Sequence, residues 1–193
     1  MINVHAYQVV ENEHLYGPGR RLLIFLQGCT IKCKGCTNSH LWAFGKGRDI
    51  STDELIRACE GLEGITLHGG EPLDQSDQLI HLVKQVKAKN KTVVLFTGYL
   101  YKELKLRSQK QIWHLADIVI SGRYEEAKQS IYLQFRGSTN QRVYTHKGKY
   151  KGYKIKDGKT VAILTLDNSG NTSLIGFRND DLDALLRDIQ SKK

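Results

Sequence analysis

No apolar run in this chain is long enough to cross a membrane. The longest, around Leu22 and Val93, have the length of strands, and the first twenty residues hold no apolar signal region. A cytoplasmic protein with no membrane span is therefore expected. Cysteine is scarce: four in 193 residues, three of them clustered. That is not a disulfide framework, and it suits a reducing compartment where thiols stay available as ligands. Internal repeats and low-complexity segments are absent. The length allows one domain, or one domain and a small appendage, with a proper core. Acidic residues are outnumbered, 20 against 29 Lys and Arg, for a formal charge of +9. Much of the excess comes late, where Arg142, Lys147, Lys149, Lys151, Lys154, Lys156 and Lys159 are relieved only by Asp157. A solvated strand face is the simplest meaning of such a run; an acidic partner or a polyanion is the sharper one. No nucleic-acid module signature accompanies the charge, so nucleic acid is not an expected partner.

The chemistry is concentrated in one loop. Cys29, Cys33 and Cys36 follow the apolar stretch Leu22 to Leu26 at C-x3-C-x2-C spacing. Spacers this short let the chain curl, so three thiols can wrap one face of a compact metal centre. A structural zinc site closes with four protein ligands, and simple electron-transfer iron–sulfur clusters are usually held by four cysteines. Three thiolates would leave one iron of a four-iron cluster free to bind another ligand. The alternative is a zinc knuckle whose fourth ligand is Cys59 or a histidine such as His40. Cys59, however, falls at helical spacing with Leu55, Ile56 and Leu62, where a free cysteine is most simply a small buried hydrophobe.

A second motif comes after the apolar Ile65-Thr66-Leu67: His68-Gly69-Gly70-Glu71-Pro72. Glycines let backbone approach a ligand closely, and a carboxylate accepts charge-assisted hydrogen bonds from an amine. On its own the motif would be a strand-to-helix turn; its position after the cysteine loop raises its significance.

The punctuation alternates strand with helix. Leu22 to Leu26 reads as a strand, and a helix begins at Ser51, which forms a capping box with Glu54. Gly64 to Leu67 is a second strand, followed by a helix from about Asp74 to Lys89. Thr92 to Phe96 is a third strand, then a helix from about Tyr101 to Leu115, and Ile118 to Ile120 a fourth strand. This order predicts an α/β fold with a parallel sheet, and parallel sheets carry ligands at the carboxyl ends of their strands. The cysteine loop and the Gly-Gly-Glu-Pro turn would then share one cleft. The chain is too short for a complete eight-unit barrel and fits an incomplete (β/α) barrel over residues 1–141. Residues 142–193 are expected as an extension packed on the same domain. It would comprise a β-hairpin from Thr160 to Phe177, with its turn through residues 167–171, and a short helix from Asp180 to Ile189.

The two motifs, in this order on successive strand ends, resemble the radical S-adenosylmethionine superfamily. Tyr16-Gly17-Pro18-Gly19-Arg20, Gly35 before the third cysteine and Asn38 after it sharpen the likeness, as do Thr97-Gly98-Tyr99 and Arg136-Gly137-Ser138-Thr139-Asn140-Gln141. In these the chain is most similar to the activating-protein family of anaerobic (class III) ribonucleotide reductase. The resemblance covers about Gly17 to Gln141. It implies a [4Fe–4S] cluster ligated by Cys29, Cys33 and Cys36, whose open iron holds the amino and carboxyl groups of S-adenosylmethionine. It further implies that Gly69, Gly70 and Glu71 hold the methionine amine. Ser121 and Arg123 would serve the ribose and carboxylate, and the backbone of Gly35, Cys36 and Thr37 would flank the adenine. Ser121-Gly122-Arg123 departs from the Asp-Gly-Lys usual in that family: the cation survives as Arg123, while a serine hydroxyl replaces the acid.

The activity so implied is that of a radical oxidoreductase. A flavodoxin or ferredoxin passes one electron to the cluster, and the sulfonium is cleaved reductively. The resulting 5′-deoxyadenosyl radical removes hydrogen from a glycine of the reductase large subunit. A radical enzyme with a small-molecule substrate, like 7-carboxy-7-deazaguanine synthase, is the nearest rival, and a non-catalytic metal-binding interaction protein the farther one. Gly35 and the Arg136 to Gln141 segment favour the activase.

Overall fold

The computed structural model describes residues 1–11, 13–145 and 148–158, together with the backbone of 162–166 and 172–176. In chain order its elements are β1 (Ile2–Val10), β2 (Arg21–Leu26), β3 (Arg48–Ile50), α1 (Thr52–Ala58), β4 (Gly64–Gly69), α2 (Ser76–Ala88), β5 (Thr92–Thr97), α3 (Arg107–Leu115), β6 (Ile118–Ser121), β7 (Arg142–Tyr144), β8 (Ala162–Leu166) and β9 (Thr172–Gly176). Among the described residues the main sheet has the order β3-β1-β2-β4-β5-β6-β7. Its centre, β2-β4-β5-β6, is parallel, as the alternation of strands and helices predicts. The flanks are antiparallel: β1 joins β2 and β3, and β7 joins β6.

The three flanking strands escape a sequence reading for physical reasons. β1 alternates weakly and carries a register irregularity between Val4 and Ala6, with much of its outer half exposed. β3 and β7 are only three residues each, and their pairing is decided by partners far away in sequence. The central strands are legible because they are continuous buried apolar runs.

The sheet separates two apolar layers. Leu22, Ile24 and Leu26 of β2 pack on one face with Ile65, Leu67, Val93 and Leu95, beneath Leu55 of α1, Leu79 and Val83 of α2, and Ile112 of α3. The opposite face, formed by Val94, Ile118 and Ile120, meets Phe135 together with Tyr150, Tyr153 and Ile155 from beyond β7. At its lower end Arg21 is wholly buried, donating to the hydroxyls of Thr66 and Thr92 at 2.9 and 2.8 Å and to the Ile65 carbonyl at 2.6 Å. A buried guanidinium requires such satisfaction, and here it ties β2, β4 and β5 together.

The helix signals are read with three differences. Ser51 caps α1 by accepting the Glu54 amide at 3.1 Å, but the Glu54 carboxylate takes the Tyr7 hydroxyl at 2.8 Å instead of closing the box. The expected start near Asp74 is a 3-10 turn over Pro72–Gln75, and α2 begins at Ser76. The expected helix from Tyr101 to Leu115 is broken after a short turn over Tyr101–Glu103. Glu103 turns back to accept the Leu100 amide at 2.7 Å, and Gln109 accepts the amides of Lys105 and Leu106, both at 3.0 Å, opening α3 afresh.

Past β7, Tyr150 donates its hydroxyl to Glu63 at 2.7 Å, and Lys149 reaches both oxygens of the same carboxylate at 2.9 Å. Part of the late basic run is thus bonded to the body of the protein. β8 and β9 pair antiparallel, Ala162 opposite Gly176 and Leu166 opposite Thr172. The expected turn over 167–171 and the helix from Asp180 to Ile189 lie outside the described residues. Among the described residues no helix is long and apolar enough to cross a membrane.

Candidate functional site

The cysteine loop leaves the carboxyl end of β2 and is folded back on itself. The Gly28 amide donates to the Leu41 carbonyl at 2.7 Å and the Cys29 amide to that of Trp42 at 3.1 Å. Two left-handed residues, Lys32 at φ 50° and Gly35 at φ 73°, curl the spacers between the thiols. At Gly35 a side chain would be strained and would also meet the Glu126 carboxyl at 2.7 Å. Cys29 is buried and Cys33 and Cys36 are half-buried, and all three line one pocket. Burial pushes the Cys29 and Cys33 thiols up, against amide hydrogen bonds from Lys32 and Ile31 to Cys29 and from Tyr124 to Cys33. Amides aimed at sulfur are the environment a thiolate ligand needs.

Gly69, Gly70 and Glu71 line the same pocket from the end of β4. The Gly70 amide donates to the Leu26 carbonyl at 2.8 Å and the Glu71 amide to that of Gly28 at 2.9 Å, fastening the two loops to each other. A side chain at Gly70 would collide with the Gly28 carbonyl oxygen. The Glu71 carboxylate is buried, and both of its oxygens are engaged. Oε1 accepts from the Leu73 amide at 2.9 Å and the Thr97 hydroxyl at 2.8 Å; Oε2 accepts from the Gly98 amide at 2.8 Å. Thr97-Gly98-Tyr99 thereby acquires a role: the end of β5 aims the carboxylate. Burial lifts Glu71 to about 7, opposed by these hydrogen bonds.

Asp74 and His68 were not singled out by sequence reasoning. Asp74 accepts the Thr30 amide at 2.7 Å, the Thr30 hydroxyl at 3.0 Å and the Tyr99 hydroxyl at 2.9 Å, so one carboxylate joins the cysteine loop to the ends of β4 and β5. Its only sequence signal is its place three residues after Glu71. His68 also lines the pocket; its Nδ1 accepts the Gly69 amide at 2.6 Å, and its ring packs against Tyr16, Phe25 and Phe96. Burial holds it down to about 4, a neutral imidazole at physiological pH.

The remaining candidates are placed unequally. Cys36 and Thr37 line the pocket, as does Gly122. Ser121 is fully buried at the end of β6, and its hydroxyl donates to the Tyr99 carbonyl at 2.8 Å. Arg123 gives one guanidinium nitrogen to both oxygens of Glu103, at 2.8 and 3.0 Å, and its charge acts on the Cys33 thiol.

The donor set fits a multi-atom cluster. Three thiols line one pocket, and among the described residues no group of three His, Cys, Asp or Glu is placed to hold a single metal ion. Neither fourth ligand considered for zinc joins them. Cys59 sits in the core with Leu55 and Leu62, and the His40 ring packs edge-on to His5 at 5.5 Å.

Comparison with known proteins agrees. A family described as a 4Fe-4S single cluster domain matches residues 15–144. The anaerobic ribonucleoside-triphosphate reductase-activating protein of Pasteurella multocida (strain Pm70) is 35% identical over 140 residues, 66% of this chain and 89% of the relative. That of Enterobacteria phage T4 is 33% identical over 139 residues, 67% of this chain and 86% of the relative. The Escherichia coli (strain K12) protein of the same name is 30% identical over 154 residues, 74% and 98%. A solved structure, that of QueE from Escherichia coli, aligns with a TM-score of 0.42 at 18% identity, over 50% of this chain and 52% of that one. With its three-thiol loop, its Gly-Gly-Glu-Pro strand end and relatives matched over most of their length, this chain belongs to the 4Fe-4S family of anaerobic ribonucleoside-triphosphate reductase-activating proteins.

Proposed function

We propose that this protein is a radical S-adenosylmethionine activase that generates a glycyl radical on the large subunit of anaerobic ribonucleotide reductase. One observation carries the reading: three thiols and a buried carboxylate, held on the ends of adjacent parallel strands, line a single pocket. Relatives named as activating proteins of that reductase support the choice of partner. Cys29, Cys33 and Cys36 hold the cluster, and Gly69, Gly70 and Glu71 receive the methionine amine. When bound, cluster and cofactor supply the radical chemistry by one-electron cleavage of the sulfonium.

The chain's own residues fix the geometry around that event. Glu71 is held by Thr97 and Gly98, so its carboxylate is pre-aimed. Glu103 takes one nitrogen of Arg123, leaving the rest of the planar fork for the cofactor carboxylate. Ser121 contributes by fixing the Tyr99 carbonyl, with Gly122 and the backbone of Gly35, Cys36 and Thr37 beside the adenosyl part. Residues 1–141, joined by β7, form the cofactor-holding unit, an incomplete barrel, and Tyr150, Tyr153 and Ile155 beyond it pack on the face of its sheet made by Val94, Ile118 and Ile120. The protein works in the cytoplasm, with flavodoxin or ferredoxin as reductant.

The test is anaerobic incubation of the cluster-loaded protein with reductant, S-adenosylmethionine and the reductase large subunit. The expected result is a glycyl-radical signal by electron spin resonance that requires all components. Cofactor cleavage with no radical on the reductase would move the activity to a small-molecule substrate.

A further inference from the structure

Phe135 lines the pocket that holds the three thiols and Glu71, and it is the one bulky apolar residue there whose backbone is left-handed, at φ 66°. For such a residue this conformation is strained and persists where the surroundings over-determine it. Those surroundings come largely from beyond residue 144, where the family match ends. Asp157 Oδ1 accepts the amide of Gln134 at 2.9 Å, and both carboxylate oxygens meet Nη2 of Arg136, at 2.7 and 2.6 Å. The Lys156 amide donates to Oε1 of Gln134 at 2.6 Å, and Gln134 Nε2 donates to the Tyr153 hydroxyl at 3.0 Å and the Glu13 carbonyl at 3.1 Å. The Phe135 amide itself donates to the His14 carbonyl at 3.0 Å, and the Tyr153 ring packs 6.2 Å from its ring. Both chain neighbours of Phe135 are thus gripped by Tyr153, Lys156 and Asp157.

We infer that segment 153–157 is a positioning device for cofactor binding. Resting on the cofactor reading above, Asp157 acts without touching S-adenosylmethionine, by locking the Gln134–Arg136 backbone so that the Phe135 ring stays an apolar wall of the pocket. The Arg136–Asp157 pair is partly exposed, with side-chain exposures of 16% and 45%, and pairs of that kind contribute little stability by themselves. Its effect is geometric. Burial works against it, yet the hydrogen bonds from Arg136 and the Gln134 amide hold the Asp157 carboxyl below its usual range, so the lock stays charged at neutral pH. Arg136 lies within the family-matched residues 15–144, and the acid that restrains it lies beyond them.

The experiment compares Asp157→Ala and Asp157→Asn with wild type as full-length, cluster-loaded protein. Asn keeps an acceptor for the Gln134 amide but loses the charge on Arg136. Iron content and melting temperature should stay near wild type in both variants. In cofactor-free protein, hydrogen exchange at the Gln134 and Phe135 amides should quicken, more in Ala than in Asn. Calorimetric affinity for S-adenosylmethionine should fall about tenfold in the Ala variant, with Asn between. Faster exchange with unchanged affinity overturns the inference and leaves the segment as a cover for the sheet, as does a fall in melting temperature without an affinity change. Wild type that binds no S-adenosylmethionine overturns the cofactor reading itself, a result distinct from either.

Discussion

Asp74 holds Thr30 twice, through its amide at 2.7 Å and its hydroxyl at 3.0 Å, and so fixes the residue next to Cys29 to the turn that follows Glu71. The same carboxylate takes the Tyr99 hydroxyl. Removing it leaves the Thr30 and Tyr99 hydroxyls only each other, 2.9 Å apart, and the Thr30 amide to find another partner, at about 1–3 kcal/mol if it remains unmet. Asp74→Ala should therefore loosen the cysteine loop: iron per chain after anaerobic reconstitution falls, and the cluster bleaches faster in air. Wild-type iron content and bleaching rate would show that the loop holds its shape without Asp74.

Glu71 is surrounded by donors, and this governs what a substitution does. In Glu71→Gln the new amide group must face either the Leu73 or the Gly98 backbone N–H, a donor against a donor. The thermal midpoint should drop, and S-adenosylmethionine affinity should fall by about tenfold or more, with the cluster retained. Iron analysis alongside calorimetry separates the two effects, and unchanged affinity would remove Glu71 from the amine site.

The same carboxyl sets a pH dependence. Burial lifts it from 4.5 to about 7, so without ligand the native form keeps a proton that the unfolded chain has shed. Its contribution to stability is present below about pH 4.5 and is lost as pH rises through about 7. An ammonium ligand prefers the ionised form, so the sign for binding is opposite: affinity should rise about tenfold between about pH 6 and about pH 8. A flat calorimetric profile over that window would show that the carboxylate is already ionised without ligand.

In the extension, the lysines divide. Lys149 sits on Glu63, whose carboxyl is held below its usual range despite burial by Lys149 and Tyr150, whereas Lys151 and Lys154 are exposed. Lys149→Glu sets like charges together and should lower the melting temperature by about 2–4 °C. Lys151→Glu with Lys154→Glu should leave it unchanged while slowing glycyl-radical formation on an acidic partner, most at low salt. Equal activation rates at every ionic strength would reduce these two lysines to a solvated face.

The parts of this protein that could be read from its sequence are those whose signal is local. Cys29, Cys33 and Cys36 announce themselves by spacing, Ser51 by its position before an apolar period, and the central strands by unbroken apolar runs. What could not be read depends on partners far along the chain. β1 is defined by pairing with both β2 and β3, and Asp74 gains its role only when β2, β4 and β5 lie side by side. Phe135 is a plain aromatic until Asp157, 22 residues later, grips its neighbours. Ser121 shows the converse: a departure from a familiar pattern draws attention to its hydroxyl, and what the pattern does not tell is that its proton goes to the Tyr99 carbonyl inside the fold.

The central claim is that three thiols hold a four-iron cluster with one iron open to S-adenosylmethionine. The most direct measurement is the electron spin resonance spectrum of anaerobically purified, reduced protein, recorded with and without the cofactor. The account predicts a brown protein whose reduced-cluster signal is altered by S-adenosylmethionine, retained in Cys59→Ala and lost when Cys29, Cys33 or Cys36 is replaced by Ala. A colourless zinc protein, or a cluster signal that the cofactor leaves untouched, would contradict it.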